Sequence, residues 1–311
     1  MLIQLKAALQ KLSSEQQWQV RSVEAILSEL KHDVNVQAIL QKTGWTMDDL
    51  KVYGTDLIRY QQESRHCASC PGLDKCPNKP QGYRSKPYVD ETRQLFFMYE
   101  PCQLYIKAQE IERRKTLFQT LQIPVSLSEI RFRDIERDDY NISAITRALE
   151  FVSDFDARRG VGLYVYGPFG VGKTYLMAAI AGHLVDRGRS VFFVHMPALF
   201  RELKAGFESA RYLEMVRALE TVDLLILDDI GAEQLTPWAR DEVLSPLLTT
   251  RTTHLKPILY TSNLPLEGLT EHFSETVRGE LDRLKAFRLI ERIRSYTEAV
   301  MMSGPNRRRH P

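Results

Sequence analysis

No stretch of this chain approaches the ~20 consecutive apolar residues that a membrane-spanning helix needs. Its opening, Met1-Leu-Ile-Gln-Leu-Lys-Ala, also lacks a basic leader followed by an unbroken apolar run. The expectation is a cytoplasmic protein with no membrane partner. Cysteine is scarce: four in 311 residues, all between Cys67 and Cys102. That excludes a disulfide-dense secreted fold and points to something local built with thiols. An excess of one charge sign is missing too. Lys plus Arg number 42 against 40 for Asp plus Glu, a net +2, so any basic surface must be local. Fixed-period repeats and low-complexity segments are absent. With 43% hydrophobic and 26% charged residues, the chain reads as globular, with a length suited to about two domains.

Glycine is absent until Gly44, and the first 60 residues place apolar side chains at helical spacing: Leu2, Leu5, Leu9 and Leu12, then Val20, Val23, Ile26, Leu27 and Leu30. They predict a small helical region whose stripes pack a core or present a partner-docking face. Residues 66–102 follow, with Pro71, Pro77, Pro80 and Pro87 breaking regular structure and thiols at Cys67, Cys70, Cys76 and Cys102. A Cys-x-x-Cys pair takes adjacent corners of a Zn²⁺ tetrahedron, and later thiolates complete it. Zn²⁺ held by these four is the expectation, ahead of a redox dithiol or unligated thiols, because Cys67-Ala-Ser-Cys70 opens no helix after a recognisable strand. In so proline-broken a segment the metal contributes ~10–16 kcal/mol of apparent binding free energy to folding. His66 either replaces one of the cysteines or, as an imidazole beside Cys67, stands as a neighbour of that site.

The charged, helix-prone stretch from Gln103 to Gln122, closed by Ile123-Pro124, reads as a connection. The expected domains are 1–106, helical and zinc-binding; 107–125, a linker; and 126–311. In the last, predicted strands at 161–166, 190–195, 223–228 and 256–261 alternate with helical segments at 174–187, 197–220, 237–250 and 280–295. Such alternation means α/β, a mostly parallel sheet with helices on both faces.

Between the first strand and the first helix of this half lies Gly167-Pro-Phe-Gly-Val-Gly-Lys-Thr174, a complete phosphate-binding loop in the required strand–loop–helix context. Its glycines let successive backbone N–H groups point at the β- and γ-phosphates, and the helix N-terminus adds positive potential. Lys173 supplies a point charge and Thr174 a hydroxyl for Mg²⁺. Gly167, Pro168, Phe169, Gly170, Val171, Gly172, Lys173 and Thr174 are thus the expected triphosphate contacts. A glycine turn with a solvated lysine is the bland alternative.

Downstream, the apolar run Leu224-Leu-Ile-Leu227 ends in Asp228 and Asp229. At the carboxyl edge of a parallel sheet such a pair suits Mg²⁺ on Asp228 and a water oriented by Asp229; the alternative is a capping turn. Asn263 ends the next strand, placed to orient water or touch the γ-phosphate, or simply to close a turn. Residues 278–309 hold nine Lys/Arg against four Asp/Glu, and Arg288 and Arg292 share one helix face. A solvated face is the default for such charge. The sharper reading gives Arg292, with Arg288 in reserve, to a neighbouring subunit's γ-phosphate, a contact worth ~10³–10⁵ in rate. Arg307, Arg308 and Arg309 either reach the nucleotide within the subunit or form a basic tail.

In this order, Gly-Pro-Phe-Gly-Val-Gly-Lys-Thr, Leu-Ile-Leu-Asp-Asp-Ile-Gly-Ala-Glu, Tyr-Thr-Ser-Asn and Arg-Leu-Ile-Glu-Arg-Ile resemble the AAA+ ATPases of the DnaA/DnaC clade. Within that clade they look most like the primosomal helicase loaders of Gram-positive bacteria, over nearly the whole chain. The resemblance implies an ATPase using ATP and Mg²⁺, with Lys173 in Walker A, Asp228 and Asp229 as Walker B, Asn263 as sensor 1, Arg292 as arginine finger and Arg307 or Arg308 as sensor 2. It further implies an ATP-dependent homo-oligomer that delivers the hexameric replicative helicase to single-stranded DNA alongside other primosome or initiator proteins. The N-terminal module would grip the helicase and mask the DNA-binding surface. A transposition-helper ATPase of the same clade, or a nucleotide-gated adaptor with vestigial hydrolysis, are the competing expectations.

Overall fold

The computed structural model describes residues 23–206, 209–233, 235–275 and 280–309. The apolar positions from Leu2 to Val20 lie outside the described residues. The chain divides into two compact units, Met1–Ile111 and Glu112–Pro311.

The first unit holds helices α1 (Val23–Leu30), α2 (Val34–Thr43) and α3 (Gly54–Ala68), of which α1 carries the apolar positions Val23, Ile26, Leu27 and Leu30 read from the sequence. Asp33 starts α2, accepting from the backbone N–H groups of Asn35 and Val36, each at 3.0 Å. Ile26, Leu30, Val36, Ile39, Leu50 and Leu57 pack one core with Val89 and Leu95. Those last two belong to a hairpin, β1 (Tyr83–Val89) against β2 (Leu95–Pro101), antiparallel with Tyr88 opposite Phe96. The sequence reading left this segment without regular structure. Its period-2 signal is real, since Ser85, Pro87 and Val89 are buried between exposed Arg84, Lys86 and Tyr88, but two charges and a proline mask it.

Helix α4 (Gln103–Leu117) spans the boundary between the units, so the segment expected as a linker is largely helical. Strand β3 (Phe118–Leu121), also within that segment, joins a six-stranded all-parallel sheet. The other strands are β4 (Gly162–Tyr166), β5 (Val191–His195), β6 (Leu224–Asp228), β7 (Ile258–Ser262) and β8 (Thr297–Met301), in the order β3-β5-β6-β7-β4-β8. The four central strands are those read from sequence. The two edges were not, because β3 is four residues long and β8 is half exposed.

Both faces are covered. On one, α5 (Ile142–Ser153) and α6 (Lys173–Asp186) bring Phe151, Leu176 and Ile180 onto Leu163, Val165 and Ile226. The other face carries α7 (Met196–Ala205), α8 (Ala210–Thr221), α9 (Ser245–Thr253), α10 (Leu266–Glu275) and α11 (Glu280–Ser295). Here Leu199, Leu219, Leu247, Phe273 and Ile290 meet Tyr164, Leu225, Leu227 and Tyr260. Each such side chain contributes roughly 1.5–3 kcal/mol on burial. The stretch expected to be helical at 197–220 holds two helices: Gly206 ends α7, and Ser209 caps α8 by accepting from Tyr212 N at 3.2 Å. A π-helical turn, Ala239–Leu244, leads into α9.

Candidate functional site

Strand β4 lies between β7 and β8, with β6 beyond β7, so the loop leaving β4 and the ends of β6 and β7 share the carboxyl edge of the sheet. A cavity of about 750 Å³ opens there, lined among others by Gly170, Gly172, Lys173, Thr174, Asp228 and Asn263. That volume suits a nucleotide-sized ligand. The glycines are there by necessity. Gly170 has φ +80°, and a Cβ on it would lie 2.0 Å from Asn306 Oδ1; a Cβ on Gly167 would lie 1.9 Å from Met302 O.

Polar contacts tie the sequence-expected residues together. Lys173 Nζ donates to Gly167 O at 2.7 Å, Pro168 O at 2.8 Å and Asn263 Oδ1 at 2.9 Å. The other end of that amide, Asn263 Nδ2, donates to Asp229 Oδ1 at 3.0 Å. Thr174 Oγ1 donates to Asp228 Oδ1 at 3.0 Å. A hydroxyl and a carboxylate in contact form the hard-oxygen pair that suits Mg²⁺. Sequence reasoning missed Thr261, whose Oγ1 donates to Asp228 Oδ1 at 2.6 Å and accepts from Asp229 N at 2.8 Å. It stands on β7, two residues before Asn263, which follows the strand. Asp229 itself takes φ +62°, a left-handed conformation costly for a non-glycine residue.

Burial sets the electrostatics. It lowers the Lys173 ammonium, opposed by Asp229 and Asp228 and reinforced by Arg308. It also raises the Asp228 carboxyl above the ordinary range; hydrogen bonds from Thr261 and Thr174 oppose this, and the Asp229 charge adds to it.

A family described as IstB-like ATP binding protein matches residues 105–305. The chain belongs to this IstB-like ATP-binding family. It is 31% identical over 308 residues to the replicative helicase loader DnaI of Bacillus subtilis (strain 168), covering 98% of both chains. A crystal structure of DnaI is 37% identical, with a TM-score of 0.55, and is matched over 99% of its length and 63% of this chain. The replicative helicase loader DnaC of Escherichia coli (strain K12) is 26% identical over 147 residues, 46% of this chain and 58% of that protein. The α/β fold of the second unit is thus that of an AAA+ ATPase.

The remaining expected residues of this IstB-like protein are dispersed. Arg307 lines the cavity, but its guanidinium pairs with Glu136 at 3.3 Å and with Asp138, while its backbone N donates to Gly170 O at 2.9 Å. Arg308 lines the same cavity; the Arg309 side chain lies outside the described residues. Arg292 sits elsewhere, donating to Thr249 Oγ1 at 2.7 Å and Ser245 O at 3.2 Å, beside Gly160 and Ile258 at the opposite edge of the sheet. Arg288 is exposed on the same helix.

In the first unit the four thiols are free, Cys67 and Cys70 exposed, Cys76 and Cys102 half-buried. Burial raises the Cys67 thiol, and Cys76, Cys70 and Cys102 each add to the rise, so the four share one neighbourhood. Asn78 Nδ2, Gly82 N and Tyr105 N donate to the sulfurs of Cys67, Cys76 and Cys102 at 3.4, 3.5 and 3.4 Å. Asn78 Oδ1 meets His66 Nδ1 at 2.9 Å, so one amide links this imidazole to the Cys67 sulfur. The donor set suits Zn²⁺. Among the described residues, however, no group of three or more His, Cys, Asp or Glu side chains is drawn together closely enough to grip an ion.

Proposed function

We propose that this chain is an ATP-dependent loader that delivers the replicative DNA helicase to single-stranded DNA during initiation or restart of replication. The observation that carries the reading is 31% identity to a replicative helicase loader sustained over 98% of both chains. The gathered loop, aspartates and Asn263 supply the matching chemistry.

In this reading the amides of 167–172 and the Lys173 ammonium bind the β- and γ-phosphates, Lys173 exchanging its hold on Gly167 O and Pro168 O for phosphate oxygens. Mg²⁺, when bound, neutralises phosphate charge, and Thr174 and Asp228 are the residues to hold it. Asp229, steered by Asn263, orients the attacking water for hydrolysis. Arg307 or Arg308 reads the phosphates from within the subunit. Arg292, remote from its own cavity, serves the neighbouring site of an ATP-dependent homo-oligomer. Cys67, Cys70, Cys76 and Cys102 are the residues that would hold Zn²⁺, which would firm the first unit, and that unit grips the hexameric helicase. Other primosome or initiator proteins complete the set of partners, and the replication role sets the location in the cytoplasm. Among the described residues no helix is long and apolar enough to cross a membrane.

The test is to mix the chain with the host's replicative helicase, ATP and labelled single-stranded DNA, and to measure native mass and label. A stable complex that carries the DNA is expected with ATP, and its loss after pretreatment with a zinc chelator. If no complex with the helicase forms under any of these conditions, the loader role is wrong.

A further inference from the structure

After the end of β6, the segment from Asp229 to Glu233 crosses the carboxyl edge of the sheet and is stitched down on both sides. Ile230 N donates to Thr261 O at 2.9 Å, and Ser262 Oγ donates to Ile230 O at 2.7 Å. Gly231 packs so tightly on α10 that a Cβ there would lie 2.7 Å from Leu269 Cδ1, and His272 Nε2 lies 3.2 Å from Glu233 O. Into this loop folds the Glu233 side chain. Both its carboxyl oxygens are shielded from solvent and make no well-formed hydrogen bond among the described residues; the backbone amides of Glu233, Gly231 and Ala232 lie nearby.

A buried carboxylate so weakly bonded is costly in such a place unless it takes up a proton. Burial raises the Glu233 carboxyl to about 7; the nearby amides of Glu233, Gly231 and Ala232 pull it down, and the Asp229 charge pushes it up. Of the charged groups around it, Asp229 at the end of β6 repels it, and on α10 the His272 ring meets its main-chain oxygen. No metal-binding or phosphate-binding role already described uses this residue.

We propose that Glu233 is a positioning residue for Asp229: its neutral carboxyl keeps the loop in the conformation in which Asp229 meets Asn263, and its ionisation loosens that loop. The inference rests on the reading of Asp229 as the group that orients the attacking water. It makes the order of the segment around Asp229, four residues before Glu233, a function of one buried proton.

Two measurements on the full chain test it. The first is chemical denaturation of ligand-free protein across pH 4.5–8.5. Because the folded carboxyl holds its proton more tightly than an ordinary glutamate at 4.5, its contribution to stability is full below that pH. It is lost as pH rises to about 7, and the penalty is constant above. Glu233→Gln, isosteric and neutral, removes this slope. The second is ATP turnover with KM and kcat separated. The parent kcat falls about tenfold between pH 6 and pH 8 at constant KM, as expected for one essential protonated group, while Glu233→Gln keeps its pH 6 rate throughout. Equal stability slopes in parent and variant overturn the proposal, as does a variant whose kcat falls with pH as the parent's does. A parent that turns over no ATP at any pH counts against hydrolysis instead, and the denaturation slopes still decide the role of Glu233.

Discussion

Asn263 holds two partners of opposite charge at once, accepting from Lys173 at 2.9 Å and donating to Asp229 at 3.0 Å. A strand-ending turn residue has no reason to bridge a lysine and an aspartate. The bridge favours the catalytic reading over the turn reading, and it makes a residue-scale prediction. Asn263→Ala should lower kcat for ATP hydrolysis by ~10²–10³, the usual effect of losing one preorganised polar group at a reacting centre, with KM changed little. Steady-state turnover checks it, and an unchanged kcat returns Asn263 to a turn role. Lys173, Thr174, Asp228 and Asp229 were legible because their spacing from glycines and from an apolar strand is fixed by the chemistry. Thr261 and Glu233 were not, since a β-strand threonine and a loop glutamate are ordinary until the fold brings them against Asp228 and Asp229.

At the scale of elements, the junctions carry as much as the strands. Arg251 of α9 is fully buried, and its guanidinium donates to Leu219 O at 2.8 Å, Val222 O at 3.0 Å and Pro257 O at 2.9 Å. It thereby joins the end of α8 to the starts of β6 and β7, the two strands that deliver Asp228 and Asn263. Burial lowers this guanidinium to about 10, eased by Tyr260 and Asp223. Arg251→Met leaves several buried carbonyls unpaired, and a loss of about 3–5 kcal/mol is expected, measured by urea unfolding of the ligand-free chain. A loss under about 1 kcal/mol would show that water replaces the guanidinium. The central strands β4 to β7 could be read from continuous apolar runs because both faces are covered. Edge strands β3 and β8, and the hairpin at 83–101, hide their pattern because one side of each faces solvent.

For the whole molecule, the location of Arg292 decides what a single copy can do. Its bonds to Thr249 and Ser245 hold it at the sheet edge opposite the phosphate loop, so within one chain it does not complete the cavity that Lys173 lines. Arg292→Ala and Lys173→Ala should each hydrolyse ATP poorly, the former by ~10³ or more. An equimolar mixture should recover activity, because one mutant supplies an intact loop and the other an intact arginine. Activity no greater than the sum of the separate mutants would remove Arg292 from the neighbouring site.

The chain's own order of residues determined the phosphate loop, the paired aspartates, the helix at Val23–Leu30 and the clustering of four thiols, because each depends on local spacing or on the period of a half-buried element. Tertiary structure alone decided which groups meet. Asn263 lies 90 residues from Lys173 in sequence yet bonds to it, Arg307 is turned onto acids far upstream, and the Glu233 carboxyl is shielded from solvent with no well-formed hydrogen bond among the described residues. Such encounters follow from how parallel strands are ordered and how loops pack over their ends, and spacing along a chain does not encode that.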